Sequence, residues 1–69
     1  MTKVIKFTGI DCANCAQKLE NKLNKIDGVE ANISFVAGKM ILDIDSLDKL
    51  IKVEQVCKKM EPEIELFYE

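Results

Sequence analysis

Apolar residues along this chain recur with two different periods, and the switches between them divide it into six elements. From Lys3 to Thr8 the pattern reads as a strand, with Ile5 and Phe7 on one face. Gly9 breaks it, and Ile10 is an apolar residue in a loop that is otherwise polar. From Ala13 the period lengthens. Cys15, Ala16, Leu19, Leu23 and Ile26 fall on one helical stripe, while Lys18, Glu20, Lys22 and Lys25 face outward. Asp27-Gly28 ends this helix with a C-terminal glycine. Val29 to Phe35 alternates, setting Val29, Ala31, Ile33 and Phe35 against Glu30, Asn32 and Ser34. Ala37-Gly38 reverses the chain, and Met40, Leu42 and Ile44 then alternate with Ile41 and Asp43 to complete a hairpin. Asp45 or Ser46 caps a second helix, whose buried stripe runs Leu47, Leu50, Val53 (or Ile51), Cys57 and Met60. Pro62 ends it, and Ile64 to Tyr68 reads as a last strand.

The order β-α-β-β-α-β is the split βαβ arrangement of ferredoxin-like folds. The expected class is α+β, an antiparallel four-stranded sheet with two helices on one face. At 69 residues the chain is expected to form a single domain, 1–69, with a modest core and no enclosed substrate cavity. The topology also names the neighbours of the loop after the first strand. The hairpin turn at Ala37-Gly38 and the junction Met60-Glu61-Pro62 share its edge of the sheet.

Charge and composition narrow the function by exclusion. Net charge is −2, and the lysines alternate with acids instead of forming a block, so nothing points to nucleic acid. The longest apolar runs, Phe35-Val36-Ala37 and Met40-Ile41-Leu42, are too short to span a membrane. Three cysteines without a signal peptide do not read as a disulfide framework, and the chain is expected to be a cytoplasmic monomer. The absence of histidine excludes every His-based catalytic or zinc arrangement within the chain.

What remains is Cys12-Ala13-Asn14-Cys15, at the junction of strand and helix. Two cysteines three apart at a helix start place two sulfurs on one side of a turn. The positive end of the helix biases both thiols toward thiolate, the form that binds soft metals and attacks disulfides. The motif alone therefore fits either a metal site or a thiol-disulfide oxidoreductase. Against the oxidoreductase, a thioredoxin-like chain needs more length and a different strand order. The single proline, Pro62, also ends a helix instead of facing the cysteines. A purely structural zinc domain fails on ligand count.

The surroundings of the motif carry a resemblance. Gly9-Ile10-Asp11-Cys12-Ala13-Asn14-Cys15 is similar to the Gly-Met-x-Cys-x-x-Cys loop of the heavy-metal-associated domain, and Gly28-Val29 to the Gly-Val after its first helix. That domain occurs as soluble metallochaperones, as N-terminal modules of metal-transporting P-type ATPases, and as mercury-binding proteins. The resemblance implies that Cys12 and Cys15 are metal ligands and that Ile10 fills the packing role of the usual methionine. Copper-handling relatives often carry glycine followed by tyrosine or lysine where this chain has Glu61-Pro62. An Asp-Cys-x-x-Cys loop is similar to that of zinc-, cadmium- and lead-exporting ATPases.

Charge points the same way. Cu(I) with two thiolates leaves one excess negative charge, to which an ionised Asp11 adds another; a divalent ion with all three leaves only one. The site therefore favours Zn(II), Cd(II) or Pb(II) over Cu(I). Asp11 reads equally as an oxygen ligand or as the cap of the first helix. Glu61 is a further candidate ligand, against a default of a solvated loop acid. Cys57 and Met60 read as core. The Lys18/Lys22/Lys25 stripe is a solvated face that, by the resemblance, also docks a partner. The expected function is to hold a soft metal ion and pass it on by thiolate exchange, most simply as the N-terminal domain of an exporting ATPase. The partner is then another metal-binding domain or the transmembrane part of a transporter. A free-standing copper or mercury chaperone is the alternative.

Overall fold

The computed structural model describes residues 1–68. It contains β1 (Thr2–Thr8), α1 (Ala13–Leu23), β2 (Val29–Ser34), β3 (Lys39–Ile44), α2 (Leu47–Met60) and β4 (Glu65–Tyr68). The strands form one antiparallel sheet in the order β2-β3-β1-β4. Ile5 lies opposite Met40, and Ala31 opposite Leu42. The buried residues of β1, β2 and β3 thus fall on one face, while Val4, Ile41 and Phe67 lie on the other. On the first face they join Ala16, Leu19 and Leu23 of α1 and Val53 and Cys57 of α2 in a single cluster. This is the expected ferredoxin-like architecture.

No polar side chain is buried among the described residues. Cohesion comes from apolar burial, about 1.5–3 kcal/mol for each large side chain fully removed from water. The core is assembled without any contribution from the sulfurs of the Cys12–Cys15 loop other than the half-buried flank of Cys15.

Several boundaries differ from the sequence pattern, each for a tertiary reason. α1 stops at Leu23 instead of running to Asp27, because Asn24 is engaged elsewhere. Its amide donates to the Ala31 carbonyl at 3.0 Å and accepts from the Ala31 N–H at 2.8 Å. Glu20 does not simply face solvent; its carboxylate accepts from the Ile33 N–H at 2.7 Å. Together the two side chains cover the outer edge of β2, which would otherwise offer free backbone groups to another strand. Gly28, at φ 80°, still closes the connection.

At its far end β2 stops at Ser34, whose hydroxyl accepts from Ala37 N–H while its carbonyl accepts from Gly38 N–H. Phe35 is therefore in the turn and exposed, not on the buried face. On α2, Ser46 holds the N-cap position, without a capping bond from its side chain. Leu47 and Met60 are exposed, as is Ile51, so the buried stripe is Val53 and Cys57 with Leu50 and Val56 beside them. A helix of this length extends about 21 Å, and its middle turns supply the buried contacts. Ile64 is fully buried just before β4 begins at Glu65.

Cys57 has no exposed surface, and burial pushes its thiol up to about 11 from 9.0, with the Glu54 charge adding to the shift and Lys58 opposing it. Between those two pH values the folded protein keeps a proton that the unfolded chain has lost, so stability falls as pH rises through the window. We expect a loss on the order of 2 kcal/mol between pH 8.5 and 11 that is absent in Cys57→Ala. At neutral pH that variant should cost only about 1 kcal/mol. Urea titrations of both proteins across the range check this. Parallel pH profiles would show that Cys57 is not a protonated core thiol.

Candidate metal centre

The site is built where β1 hands over to α1. Gly9 turns the chain at φ 93°, pressed so closely against the α2–β4 junction that a Cβ there would overlap the Glu63 carbonyl oxygen. Ile10, only 9% exposed, is sunk into the core and ties the loop down. Past it the chain surfaces, and Asp11 and Cys12 are exposed. Cys12 is the N-cap of α1: its backbone is extended, and its Sγ accepts from the Cys15 N–H at 3.1 Å. Cys15 sits in the first turn, half-buried, with one flank on the core.

The two sulfurs lie 2.7 Å apart. Their environments are unequal, which corrects the expectation that both thiols are biased toward thiolate. Cys12 is lowered, first by the hydrogen bond from the Cys15 side chain and then by the Cys15 N–H. Cys15 is raised, first because it donates to Cys12 and then by burial and by the charge that Cys12 takes on. Both donors of Cys15 thus favour negative charge on Cys12. Helix-end stabilisation is delivered to Cys12 alone, through the Cys15 N–H and, to a lesser extent, the Asn14 N–H.

A cleft of about 270 Å³ opens beside Cys15, lined also by Gly9, Asp11, Glu61, Pro62 and Glu63. The α2–β4 junction therefore adjoins the cysteines as the topology requires. The hairpin turn lies at the same edge, where Gly38 accepts from the Phe7 N–H at 2.9 Å. Asp11 lines the cleft but does not cap α1, since Cys12 holds that position. Glu61 ends α2, half-buried, with its N–H donating to the Cys57 carbonyl at 2.8 Å and its carbonyl accepting from Ile64 N–H. Its charge acts on both sulfurs, raising each. Among the described residues, no three Cys, Asp or Glu side chains already stand close enough to hold an ion together. Met60 is 36% exposed and belongs neither to the core nor to this cleft.

Lys18 is the group the sequence reading did not connect to the site. Its charge opposes the upward shift of Cys15. The signal was present in the spacing, since residues three apart on a helix are neighbours. No helix among the described residues is long and apolar enough to cross a membrane.

Comparison with known proteins matches this geometry to a family. The sequence model of the Heavy-metal-associated domain matches residues 4–64. The chain is 39% identical over 61 residues to the cadmium, zinc and cobalt-transporting ATPase of Helicobacter felis, covering 87% of this chain and 8% of that protein. It is 40% identical over 52 residues to the copper-exporting P-type ATPase of Staphylococcus saprophyticus, covering 70% of this chain and 6% of the ATPase. The chain thus spans under a tenth of the length of these relatives. Among solved structures, the N-terminal domain of ZntA in the Zn(II)-form superposes with a TM-score of 0.78 at 32% identity, covering 99% of this chain and 90% of that one.

Proposed function

This chain belongs to the heavy-metal-associated domain family, and from that premise we propose that it binds a soft heavy-metal ion through Cys12 and Cys15 and passes it on by thiolate exchange. The observation that carries the reading is the exposed dithiol, with its sulfurs 2.7 Å apart at the mouth of α1. Tetrahedral Zn(II) at about 2.3 Å from each sulfur needs the two roughly 3.8 Å apart. The pair must therefore open by about 1 Å, and Cys12, at the exposed end of the loop, is the side free to move. Cys12, whose charge the Cys15 donors favour, captures the ion, and Cys15 loses its own proton as it joins. A partner's thiolate then attacks the open side, one bond at a time. The domain itself catalyses no reaction.

Of the three acids that line the cleft, Asp11, Glu61 and Glu63, the first two are the oxygen donors assigned to a divalent ion. With either one, the charge of Zn(II), Cd(II) or Pb(II) is better matched than that of Cu(I). The module is accordingly assigned to the cytoplasmic face of an exporting P-type ATPase, as its N-terminal metal-binding domain. Its likeness to cadmium, zinc and cobalt-transporting ATPases supports that assignment. The second reading is Cu(I) handling, for which two thiolates are a complete donor set; the similarity to copper-exporting ATPases supports it.

Asp11→Asn and Glu61→Gln separate the readings. Each removes a charge and a hard donor at nearly constant size. For a divalent site, Zn(II) affinity should drop on the order of tenfold in whichever variant has lost the donor, while Cu(I) affinity holds or rises. Anaerobic competition titrations of the three proteins with each ion measure this. Unchanged Zn(II) affinity in both variants, with Cu(I) bound more tightly than Zn(II), would overturn the divalent assignment in favour of Cu(I).

A further inference from the structure

The two edges of the sheet are finished differently. Asn24 and Glu20 occupy backbone groups along the outer edge of β2, whereas among the described residues no side chain hydrogen-bonds to the backbone of β4. The bond from Lys58 Nζ to the Ile64 carbonyl, at 2.6 Å, stops one residue short of the strand. Natural sheets blunt an open edge with lysine, proline or a bulge. Glu65-Leu66-Phe67-Tyr68 has no lysine or proline and pairs with β1 in unbroken register. Apolar surface accompanies this edge. Leu66 and Tyr68 lie opposite Phe7 and Ile5, on the helix side of the sheet, and Phe67 lies on the other side. Ile51, Glu54, Gln55 and Lys58 of α2 complete a groove of about 430 Å³ beside Leu66 and Tyr68. Ile51 and Leu47, one turn apart on α2, are 58% and 57% exposed, although the sequence pattern offers both to the core.

We propose that this edge is an interface between copies of the chain: β4 pairs antiparallel with β4 of a second copy, and a two-fold axis continues the sheet from one copy into the other. Backbone groups of β4 supply the hydrogen bonds, as in strand addition generally, and the side chains decide the partner. Residues opposite each other in an antiparallel pair share a face of the sheet. A fitting strand must therefore present apolar residues on the helix side, and β4 itself does so with Leu66 and Tyr68. Ile51 and Leu47 of both copies then close over that side, while the two Phe67 rings cover the other. Charge is self-complementary as well. Among the described residues Glu54 and Lys58, a turn apart on the groove wall, form no ion pair. The axis runs the two α2 helices antiparallel and brings Glu54 of each copy toward the partner's Lys58, the reciprocity that an isologous contact needs. A membrane surface would cover the apolar side chains but leave the strand edge without hydrogen-bond partners. The groove shares no residue with the cleft beside Cys15, so the dimer leaves the dithiol open and needs no metal.

The test is sedimentation equilibrium under reducing conditions with a chelator present, from about 10 μM to about 1 mM protein. A weak dimer, half-formed at roughly 0.1 mM, is expected of a patch at the small end of specific interfaces. Ile51→Lys/Phe67→Lys should weaken it about tenfold or more, because the axis sets each new charge near its own copy. Val36→Lys, at the fully exposed tip of the β2–β3 turn, should dimerise as wild type does. Amide hydrogen exchange along β4 should slow as wild type is concentrated. Circular dichroism confirms that each variant is folded. A wild type that stays monomeric throughout would overturn the proposal, and its binding to phosphatidylserine vesicles would then make the face a membrane contact. Undiminished dimerisation of the folded double variant would overturn it too. So would a dimer whose β4 amides exchange as fast as the monomer's, which would place the contact elsewhere.

Discussion

Cys12→Ser should all but abolish metal binding while leaving the protein folded. The substitution removes the sulfur whose negative charge the Cys15 donors favour, which is also the exposed, movable half of the pair. Zn(II) affinity should fall by more than the ~10–100-fold that follows loss of an outer-shell partner, since here a ligand itself is gone. The fold should survive because Cys12 holds an N-cap position, and serine is a preferred N-cap residue whose oxygen can accept the same Cys15 N–H. Cys15→Ser should lose metal equally but cost more stability, because one flank of Cys15 rests on the core. Chelator competition under reducing conditions, paired with urea titration, reads both quantities. Retention of Zn(II) within tenfold in either variant would mean that the dithiol is not the site. Unfolding of the metal-free wild type would mean instead that metal holds the fold together, contrary to a core made of apolar side chains alone.

The fold was legible because period and face agree in β1, β3 and α1 and over most of β2. Ile5, Phe7, Met40, Leu42 and Ile44 alternate in the sequence, and all are buried on one face. The dithiol was legible for the same reason, as two cysteines at the point where the period changes. What sequence could not show depends on groups brought together from a distance. The end of α1 is set by the two bonds between Asn24 and Ala31, and Glu20 has an inward role only because β2 is an edge strand. The inequality of the sulfurs follows from which one accepts: Cys12 Sγ takes the hydrogen bonds of both the Cys15 side chain and the Cys15 N–H. The approach of Glu61 to the cysteines, by contrast, was legible from the order of the strands, which puts the α2–β4 junction at the edge of the cysteine loop. Lys22 and Lys25 looked like a solvated stripe until α2 supplied Lys52 and Lys59 opposite them.

Gly9→Ala should be the most damaging single-methyl addition in the chain, and it should damage stability and metal binding together. At φ 93° a residue with a Cβ is strained, at roughly 1–2 kcal/mol. The added methyl would also overlap the Glu63 carbonyl and crowd the Ile64 Cα, both backbone atoms that cannot rotate aside. Relieving that clash requires the loop and the α2–β4 junction to part, which lifts Ile10 and Ile64 from the core. The total loss should be roughly 2–4 kcal/mol, against about 3–10 kcal/mol for an entire domain of this size. The same separation would widen the cleft between Cys15 and Glu61 and move Asp11 away from Glu61. A divalent ion that uses an oxygen from Asp11 or Glu61 should therefore bind less tightly even to the fraction that remains folded. A two-thiolate Cu(I) complex, contained within the Cys12–Cys15 turn, should lose much less. Urea denaturation gives the first quantity, and Zn(II) and Cu(I) titrations at a temperature where the variant is folded give the second. Wild-type stability in Gly9→Ala would show that the loop is not clamped against Glu63. An equal loss of Zn(II) and Cu(I) affinity would show instead that the clamp positions the sulfurs themselves and not the oxygen donors around them.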